Sequence, residues 1–160
     1  SSPSRGLGDV YKRQAHELAD LDPANANKYE SNANKAIKSI DEMISNVNSS
    51  INKDAKFIVF HDAYQYFEKR FGVATAGALT LNTDVLPGAK QISEIQEVIA
   101  EKDIKCIFSE PQFNPKIIET IAQDTGIKTG VLDPLGSIFD GGKEQYFTLI
   151  NDIGNKLKDC

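Results

Sequence analysis

Several residue types are scarce in this sequence, and each scarcity excludes a class of protein. The 160 residues contain two cysteines, two histidines, one methionine and no tryptophan. Two cysteines cannot build the dense disulfide framework of a very small secreted domain, but a chain of this length can bury a hydrophobic core without one. There are 18 Lys and Arg residues against 23 Asp and Glu, which gives a net charge of −5. No basic run is longer than Lys12-Arg13, so the sequence lacks the clustered positive charge that nucleic-acid binding requires.

Long hydrophobic runs and enzyme signature motifs are also missing. The longest unbroken apolar stretches, such as residues 57–60, have four residues, whereas a membrane-spanning helix needs about 20. The sequence has no G-x-S-x-G nucleophile elbow, no G-x-x-x-x-G-K-[ST] phosphate loop, no G-x-G-x-x-G after a strand and no H-E-x-x-H zinc motif. Neither cysteine lies in a C-x-x-C motif, which argues against a thioredoxin-like redox site. Any function therefore has to come from residues that the fold brings together.

Residues 1–14 differ from the rest of the chain. They lack the apolar core of about 7 to 15 residues that a signal peptide carries. They also show no sustained helix or strand period. We interpret them as an extraneous tail that lies outside the fold.

A long amphipathic helix is predicted next. Asp22 can accept hydrogen bonds at a helix start, and Pro23 suits the first helical position because its missing N–H costs nothing there. Apolar residues then recur every three or four positions from Ala26 to Ile51, which places them on one face. From Pro23 to about residue 50 the helix would be roughly 42 Å long at about 1.5 Å per residue. Because that exceeds the width of a small domain, we assign residues 15–52 to a helical segment that extends beyond its own domain.

From residue 53 onward, short β-rich runs alternate with amphipathic helical patterns. The predicted strands are residues 56–60, 76–81, 104–108 and 127–132. The helical patterns have apolar residues three or four positions apart, as in Ile92, Ile95 and Ile99, and a last helix is predicted near residues 143–158. Alternation of strand and helix implies right-handed crossovers and a parallel sheet. We therefore predict a three-layer α/β domain over residues 53–160, in which helices flank a mainly parallel four-stranded sheet.

Polar side chains follow three of the predicted strands, at the edge where a parallel sheet binds ligands. They are His61 with Asp62, Glu110 before Pro111, and Asp133 before Pro134. A helix is predicted to follow each of these strands. We therefore expect His61, Glu110 and Asp133 to lie on one edge, close to the amino ends of helices.

Each of these residues has a structural interpretation and a functional one. A single histidine after a strand is more often a hydrogen-bonded structural residue than a metal ligand. Asp133 most simply caps a helix, because Asp before Pro is a common N-cap, and Asp62 most simply caps the helix that follows it. Glu110 is either an acceptor that supports a neighbouring ligand or a residue of the turn that Pro111 forces. The residues alone leave the function open.

Three motifs in this part of the chain resemble one protein family. They are F-I-V-F-H-D-A-Y-Q-Y-F at residues 57–67, S-E-P-Q-F at residues 109–113 and L-D-P-L-G at residues 132–136. In this order and at this spacing they resemble the C-terminal half of zinc ABC-transporter substrate-binding proteins, the ZnuA-type group of metal-binding cluster A-I. The resemblance covers about residues 15–160. It implies two α/β lobes joined by one long rigid helix, with the metal ion held between the lobes and the helix after Asp22 as the connector.

The resemblance also implies a ligand set. In this family the C-terminal lobe supplies a histidine and an aspartate, and the matching residues are His61 and Asp133. Imidazole nitrogen and carboxylate oxygen suit zinc, whereas relatives that carry manganese or iron typically have a carboxylate at the position of His61. Zinc is therefore the expected ion and manganese the alternative. Glu110 and Asp62 are candidates for supporting positions in the cleft.

Nothing in the sequence matches the family's N-terminal lobe, which supplies two further histidines. His16 is the only other histidine, and we expect it to be exposed on a helix surface and not a ligand. The chain would then hold half of a metal site and bind zinc weakly by itself. The missing lobe and a membrane ABC permease are the expected partners, and an uncovered face of the long helix would promote self-association.

Related zinc-binding proteins often have a disulfide that joins the third strand to the end of the last helix, which implies a Cys106–Cys160 bond here. The alternative is two free thiols, one buried and one at the frayed terminus. A disulfide persists only in an oxidising compartment. The bond would therefore agree with a periplasmic protein.

A receptor that delivers zinc to a permease, and performs no chemistry, is the leading hypothesis. A close alternative is a manganese or iron receptor, or a metal-binding adhesin-type surface lipoprotein, of the same fold. A rival from another class is a metal-dependent hydrolase that uses His61, Glu110 and Asp133 with a water in an open metal position.

Overall fold

The computed structural model describes residues 6–80 and 87–160. These residues divide into two compact units, of which the first ends at Asn46 and the second begins at Val47. In neither described range is any helix long and apolar enough to cross a membrane. Residues 1–5 of the predicted tail, and Leu81 at the end of the second predicted strand, lie outside the described residues.

Two helices form the first unit, and the first of them corrects the interpretation of residues 1–14. Helix α1 spans Leu7–Leu21, so residues 7–14 are helical and not irregular. Ala15 of this helix is buried, and side chains that include Tyr11 of α1 and Tyr29 and Ala33 of α2 line one groove. The prediction that residues 1–14 have no helical period is therefore wrong for residues 7–14. That the segment is extraneous stays a prediction.

Helix α2 spans Ala26–Ser50, close to the predicted extent of the long helix. It does not continue α1, because the chain leaves the α1 helix at Asp22 and forms a short 3-10 turn at Pro23–Asn25. Residues 15–52 are therefore two helices, separated where Pro23 offers no backbone N–H to continue the first. Asp22 was expected to accept backbone hydrogen bonds through its side chain. Its carboxylate instead accepts from the side chains of Asn25 (2.8 Å) and Tyr29 (2.9 Å).

The second unit contains the predicted α/β domain. After the end of α2, its elements are β1 (Phe57–His61), α3 (Gln65–Phe71), β2 (Ala78–Thr80), α4 (Ala89–Glu101), β3 (Cys106–Ser109), α5 (Lys116–Thr125), β4 (Lys128–Val131) and α6 (Gln145–Leu157). The described strands form one four-stranded sheet in the order β2-β1-β3-β4, and each neighbouring pair is parallel. Helices cover both faces, so the fold prediction is confirmed.

The core explains why these runs became strands and helices. Strand β1 is apolar throughout residues 57–60 because it is buried on both faces. Ile58 and Phe60 face the same side as Ile107 of β3, where Ile99 of α4 and Ile121 of α5 pack on them. The apolar spacing of α4 and α5 thus marks the side of each helix that lies on the sheet.

A disulfide joins the third strand to the residue that follows the last helix. The bond links Cys106 of β3 with Cys160, and Cys106 is 3% exposed. The backbone carbonyl of Cys160 also accepts a hydrogen bond from the N–H of Lys56 (3.3 Å). The pairing implied by the family resemblance is therefore present in the structure.

Gly130 in β4 gives a stability prediction. A Cβ at this position would lie 2.5 and 2.7 Å from two ring atoms of Phe108, which is buried in β3. We expect Gly130→Ala to destabilise the fold by about 1 to 3 kcal/mol, the usual cost of overpacking a core. Thermal unfolding of both proteins measures this.

Gly141→Ala is the matched control for Gly130→Ala. Gly141 is exposed, and its added Cβ would meet no atom within 4 Å. We expect its melting temperature to stay close to that of the parent. Equal melting temperatures for the Gly130→Ala variant and the parent would contradict the predicted clash.

Candidate metal site

The sheet order brings three polar strand ends together. His61 is the last residue of β1, Glu110 follows β3 directly, and Asp133 comes two residues after the end of β4. Strands β1, β3 and β4 are neighbours in the sheet, so their carboxyl ends lie side by side. The N–H of Leu132 donates to the carbonyl oxygen of Ser109 (2.9 Å), which holds the segment of Asp133 beside that of Glu110.

His61 and Glu110 form a hydrogen-bonded pair. The Nδ1 atom of His61 lies 3.1 and 3.2 Å from the two carboxylate oxygens of Glu110. The His61 side chain is 29% exposed, whereas that of Glu110 is 2% exposed. Burial raises the pKa of Glu110, although the hydrogen bond from His61 opposes this shift. Glu110 therefore fixes one ring nitrogen, and Nε2 is the nitrogen left for another partner.

Tyr64 is a buried side chain that lies beside Glu110 and Leu132. It is 4% exposed, its hydroxyl donates to the carbonyl oxygen of Leu132 (3.4 Å), and Glu110 lies beside it. Burial, with the negative charge of Glu110 beside it, raises the pKa of the Tyr64 hydroxyl. In the sequence Tyr64 is one of the residues of the 57–67 motif. The signal was the hydroxyl itself, because a buried tyrosine usually needs a hydrogen-bond partner.

Asp133 is fully buried and accepts four hydrogen bonds. Its Oδ1 accepts from the N–H of Leu135 (3.1 Å) and from Nε2 of Gln112 (2.7 Å). Its Oδ2 accepts from the hydroxyl of Ser137 (2.8 Å) and from the N–H of Ile138 (3.0 Å). Burial by itself would raise the pKa of Asp133, but these hydrogen bonds outweigh it and lower the pKa to about 2. The carboxylate is therefore ionised at neutral pH.

The structural interpretations of Asp133 and Asp62 as helix caps are wrong. No helix begins at Asp133, because its side chain organises a turn, and α6 starts only at Gln145. The Asp-Pro signature is shared by helix caps and such turns. Asp62 accepts a hydrogen bond from the side chain of Gln65 (2.6 Å) and caps no backbone N–H of α3. It lines a pocket with residues of α3, β2 and α4, and its supporting role in a metal site stays a prediction.

Gln112 and Phe113 complete the surroundings of the strand ends. Both belong to the S-E-P-Q-F motif at residues 109–113. Nε2 of Gln112 bridges Asp133 and the hydroxyl of Ser137 (3.0 Å). The ring of Phe113 stands edge-on to that of His61 at 6.3 Å and stacks on Phe60 at 4.8 Å. Phe113 therefore forms an apolar wall beside the imidazole.

Together these residues present a histidine nitrogen and an ionised carboxylate at one edge of the sheet. Residues 6–80 and 87–160 contain no group of three or more His, Cys, Asp or Glu side chains that could hold a metal ion. His16 lies in α1, where its exposed side chain pairs with Asp20 at 3.3 Å. The described part of the chain thus pairs His61 with Glu110 and places Asp133 at the neighbouring strand end.

Comparison with known proteins identifies the family. A family model described as "Zinc-uptake complex component A periplasmic", or ZnuA, matches residues 7–160. The chain belongs to the ZnuA family. The match includes residues 7–14, which α1 also contains. It confirms the resemblance that the three motifs indicated.

Individual members of the family and its structural relatives agree with this assignment. The "High-affinity zinc uptake system protein ZnuA" of Brucella abortus is 44% identical over 148 residues, which are 91% of this chain and 44% of the relative. A crystal structure of ZnuA has a TM-score of 0.76 at 24% identity, and the match covers 96% of this chain and 59% of that one. This likeness shows the fold. The chain spans less than half the length of the Brucella relative.

One further structural relative has a second activity besides metal transport. The laminin-binding protein Lmb of Streptococcus agalactiae is described as a bifunctional protein with adhesin and metal transporting activity. It has a TM-score of 0.72 at 28% identity, over 90% of this chain and 58% of that one. The fold is therefore shared by proteins that transport metal and by one that also acts as an adhesin.

Proposed function

We propose that this chain is the C-terminal metal-binding half of an extracytoplasmic receptor that binds zinc and delivers it to a membrane ABC permease. The observation that carries this proposal is the His61–Glu110 pair. A metal-binding histidine usually donates its second ring N–H to a carboxylate, which orients the ring and increases the basicity of the ligating nitrogen. Glu110 acts on Nδ1 in this way, so Nε2 of His61 is the proposed zinc ligand.

Asp133 is the proposed second ligand from this chain. Its pKa of about 2 keeps the carboxylate ionised at neutral pH, as metal coordination requires. A histidine nitrogen and a carboxylate oxygen together suit zinc, which binds both in a tetrahedral shell. The remaining ligands would come from the part of the relatives' length that this chain does not span. With two of four positions filled, the chain by itself should bind zinc weakly.

Titration of the chain with zinc and with manganese tests this proposal. We expect zinc to bind with micromolar or weaker affinity, and manganese to bind more weakly still because it prefers oxygen ligands. Isothermal titration calorimetry measures both. Nanomolar zinc affinity at one ion per chain would refute the half site, provided that sedimentation shows a monomer. The same sedimentation run tests the predicted self-association.

The alternatives differ in how well the site supports them. His61 favours zinc over manganese or iron, while the likeness to Lmb supports a metal-binding adhesin of the same fold. A hydrolase would need a carboxylate that can act as a base on a bound water. Both carboxylate oxygens of Glu110 lie within hydrogen-bond distance of Nδ1 of His61, so Glu110 is already engaged with the histidine. Transport without chemistry therefore fits these contacts better.

The proposed compartment is the periplasm. The Cys106–Cys160 disulfide requires an oxidising environment, and the family model describes a periplasmic component. The partners would be the membrane permease and the N-terminal lobe of the same protein. The net charge of −5, with no basic run longer than two residues, argues against nucleic acid as a partner.

A further inference from the structure

The hydrogen bonds of Asp133 leave no acceptor position for a metal ion. An ionised carboxylate has about four lone-pair positions, and Asp133 fills them with the four donors of Gln112, Leu135, Ser137 and Ile138. A cation can coordinate this carboxylate only if one donor leaves. The identity of that donor determines part of the cost of binding.

We infer that Gln112 is a positioning residue that must withdraw from Asp133 when the metal ion binds. This inference rests on the proposed function. Three of the donors belong to the turn that Asp133 itself organises, and two of those are backbone N–H groups. Gln112 is the donor that comes from another segment, the loop between β3 and α5. It is exposed, and rotation about its side-chain bonds removes its amide from Asp133 and from the hydroxyl of Ser137. The two backbone donors of the turn stay in place.

The competition between Gln112 and the ion has two consequences for a transport receptor. Without metal, the amide holds Oδ1 in place at 2.7 Å, so the ligand stays ordered. With metal, the lost hydrogen bond subtracts from the free energy of binding. Hydrogen bonds to charged groups are among the stronger ones in proteins. The amide is also ready to return to Oδ1 when the ion leaves, which favours release to a permease.

Replacement of Gln112 by methionine tests the inference, because methionine keeps the side-chain length and removes the donor. In the 160-residue chain we expect Gln112→Met to bind zinc about 10-fold more tightly in a competition titration with a chelating dye. We expect the same variant to melt at a lower temperature without metal. A purely structural role would weaken folding without strengthening zinc binding, so opposite changes are the signature of competition.

The matched control is Gln145→Met. Nε2 of Gln145 donates to the carbonyl oxygen of Gly136 (3.0 Å), in the turn that Asp133 organises, but it does not contact Asp133 itself. We expect this control to leave the zinc affinity unchanged. In the parent chain, addition of zinc should also shift the side-chain amide signals of Gln112 in a nitrogen–proton NMR spectrum.

The outcomes separate this inference from the proposed function. If His61→Ala loses zinc binding but Gln112→Met binds zinc no more tightly than the parent, Gln112 is not a competitor and the inference is wrong. If His61→Ala binds zinc as well as the parent does, the proposed ligand set fails and the inference fails with it. The same follows if neither the parent nor any variant binds zinc. Tighter binding by both glutamine variants would assign the effect to a general loosening of the turn.

Discussion

Replacement of His61 by alanine is expected to abolish measurable zinc binding by this chain. His61 supplies the one nitrogen ligand of the proposed half site, and Glu110 holds its ring in place. Loss of an outer partner of a metal ligand typically weakens metal binding by about 10-fold to 100-fold, so loss of the ligand itself should cost more. Competition titration with a chelating dye measures the affinity.

His16→Ala is the control for this substitution, because it removes the other histidine. His16 is exposed and pairs with Asp20, so its removal should leave zinc affinity unchanged. A stronger effect from His16 than from His61 would contradict the assignment and would place a zinc ligand on α1.

Glu110→Gln tests, in the same assay, whether Glu110 orients the His61 ring or binds the zinc ion itself. The variant keeps the size of the side chain but removes the negative charge that faces Nδ1 of His61. We expect zinc affinity to fall by about 10-fold or more, the effect of an outer partner, with less loss than His61→Ala causes. If Glu110→Gln removed binding as completely as His61→Ala does, Glu110 would itself be a candidate ligand.

Loss of the Cys106–Cys160 disulfide is expected to have the largest effect on stability. The bond joins residues 54 positions apart, and the chain-entropy model gives about 4 kcal/mol for closing a loop of this size. Cys160→Ala should therefore lower the free energy of unfolding by about that amount. Urea denaturation under non-reducing conditions measures it.

The parent protein in reductant provides a matched comparison for Cys160→Ala. Both proteins lack the bond, so their unfolding curves should agree, and alkylation before reduction should label no cysteine of the parent. A variant as stable as the oxidised parent would show that the loop gains little from closure. Labelling of two cysteines before reduction would show that the bond is absent in solution.

The strands and helices of the α/β domain could be predicted from short sequence patterns. Strand β1 was identified by the apolar run at residues 57–60, and α4 by the spacing of Ile92, Ile95 and Ile99. A buried strand and a helix that packs on a sheet need these apolar patterns in any such fold. The rule for parallel strand ends then placed His61 and Glu110 side by side. Helix α1 was within reach of the same method, since Tyr11, Ala15 and Leu18 keep a helical spacing. The boundary predicted at residue 14 separates Tyr11 from Ala15 and Leu18, so the helical pattern was not recognised.

The role of Asp133 could not be predicted because it depends on a distant residue. Asp before Pro is found both at helix caps and in turns. Which of the two forms depends on the hydrogen-bond donors that reach the carboxylate, and these come from the turn itself and from a distant loop. One of them, Gln112, lies 21 positions away in the sequence. The hydroxyl of Tyr64 likewise reaches Leu132, 68 positions away. Contacts at such separations form only in the assembled sheet, so the spacing of residues along the sequence does not predict them.

The order of strands in the sheet has a consequence for how the protein can assemble during synthesis. Strand β2 pairs with β1, β3 pairs with the other side of β1, and β4 pairs with β3. Each strand after the first therefore joins a strand that has already been made, and none has to wait for a partner that comes later in the chain. The sheet can therefore grow outward from β1, and the bond to Cys106 needs Cys160, which follows all four strands in the sequence.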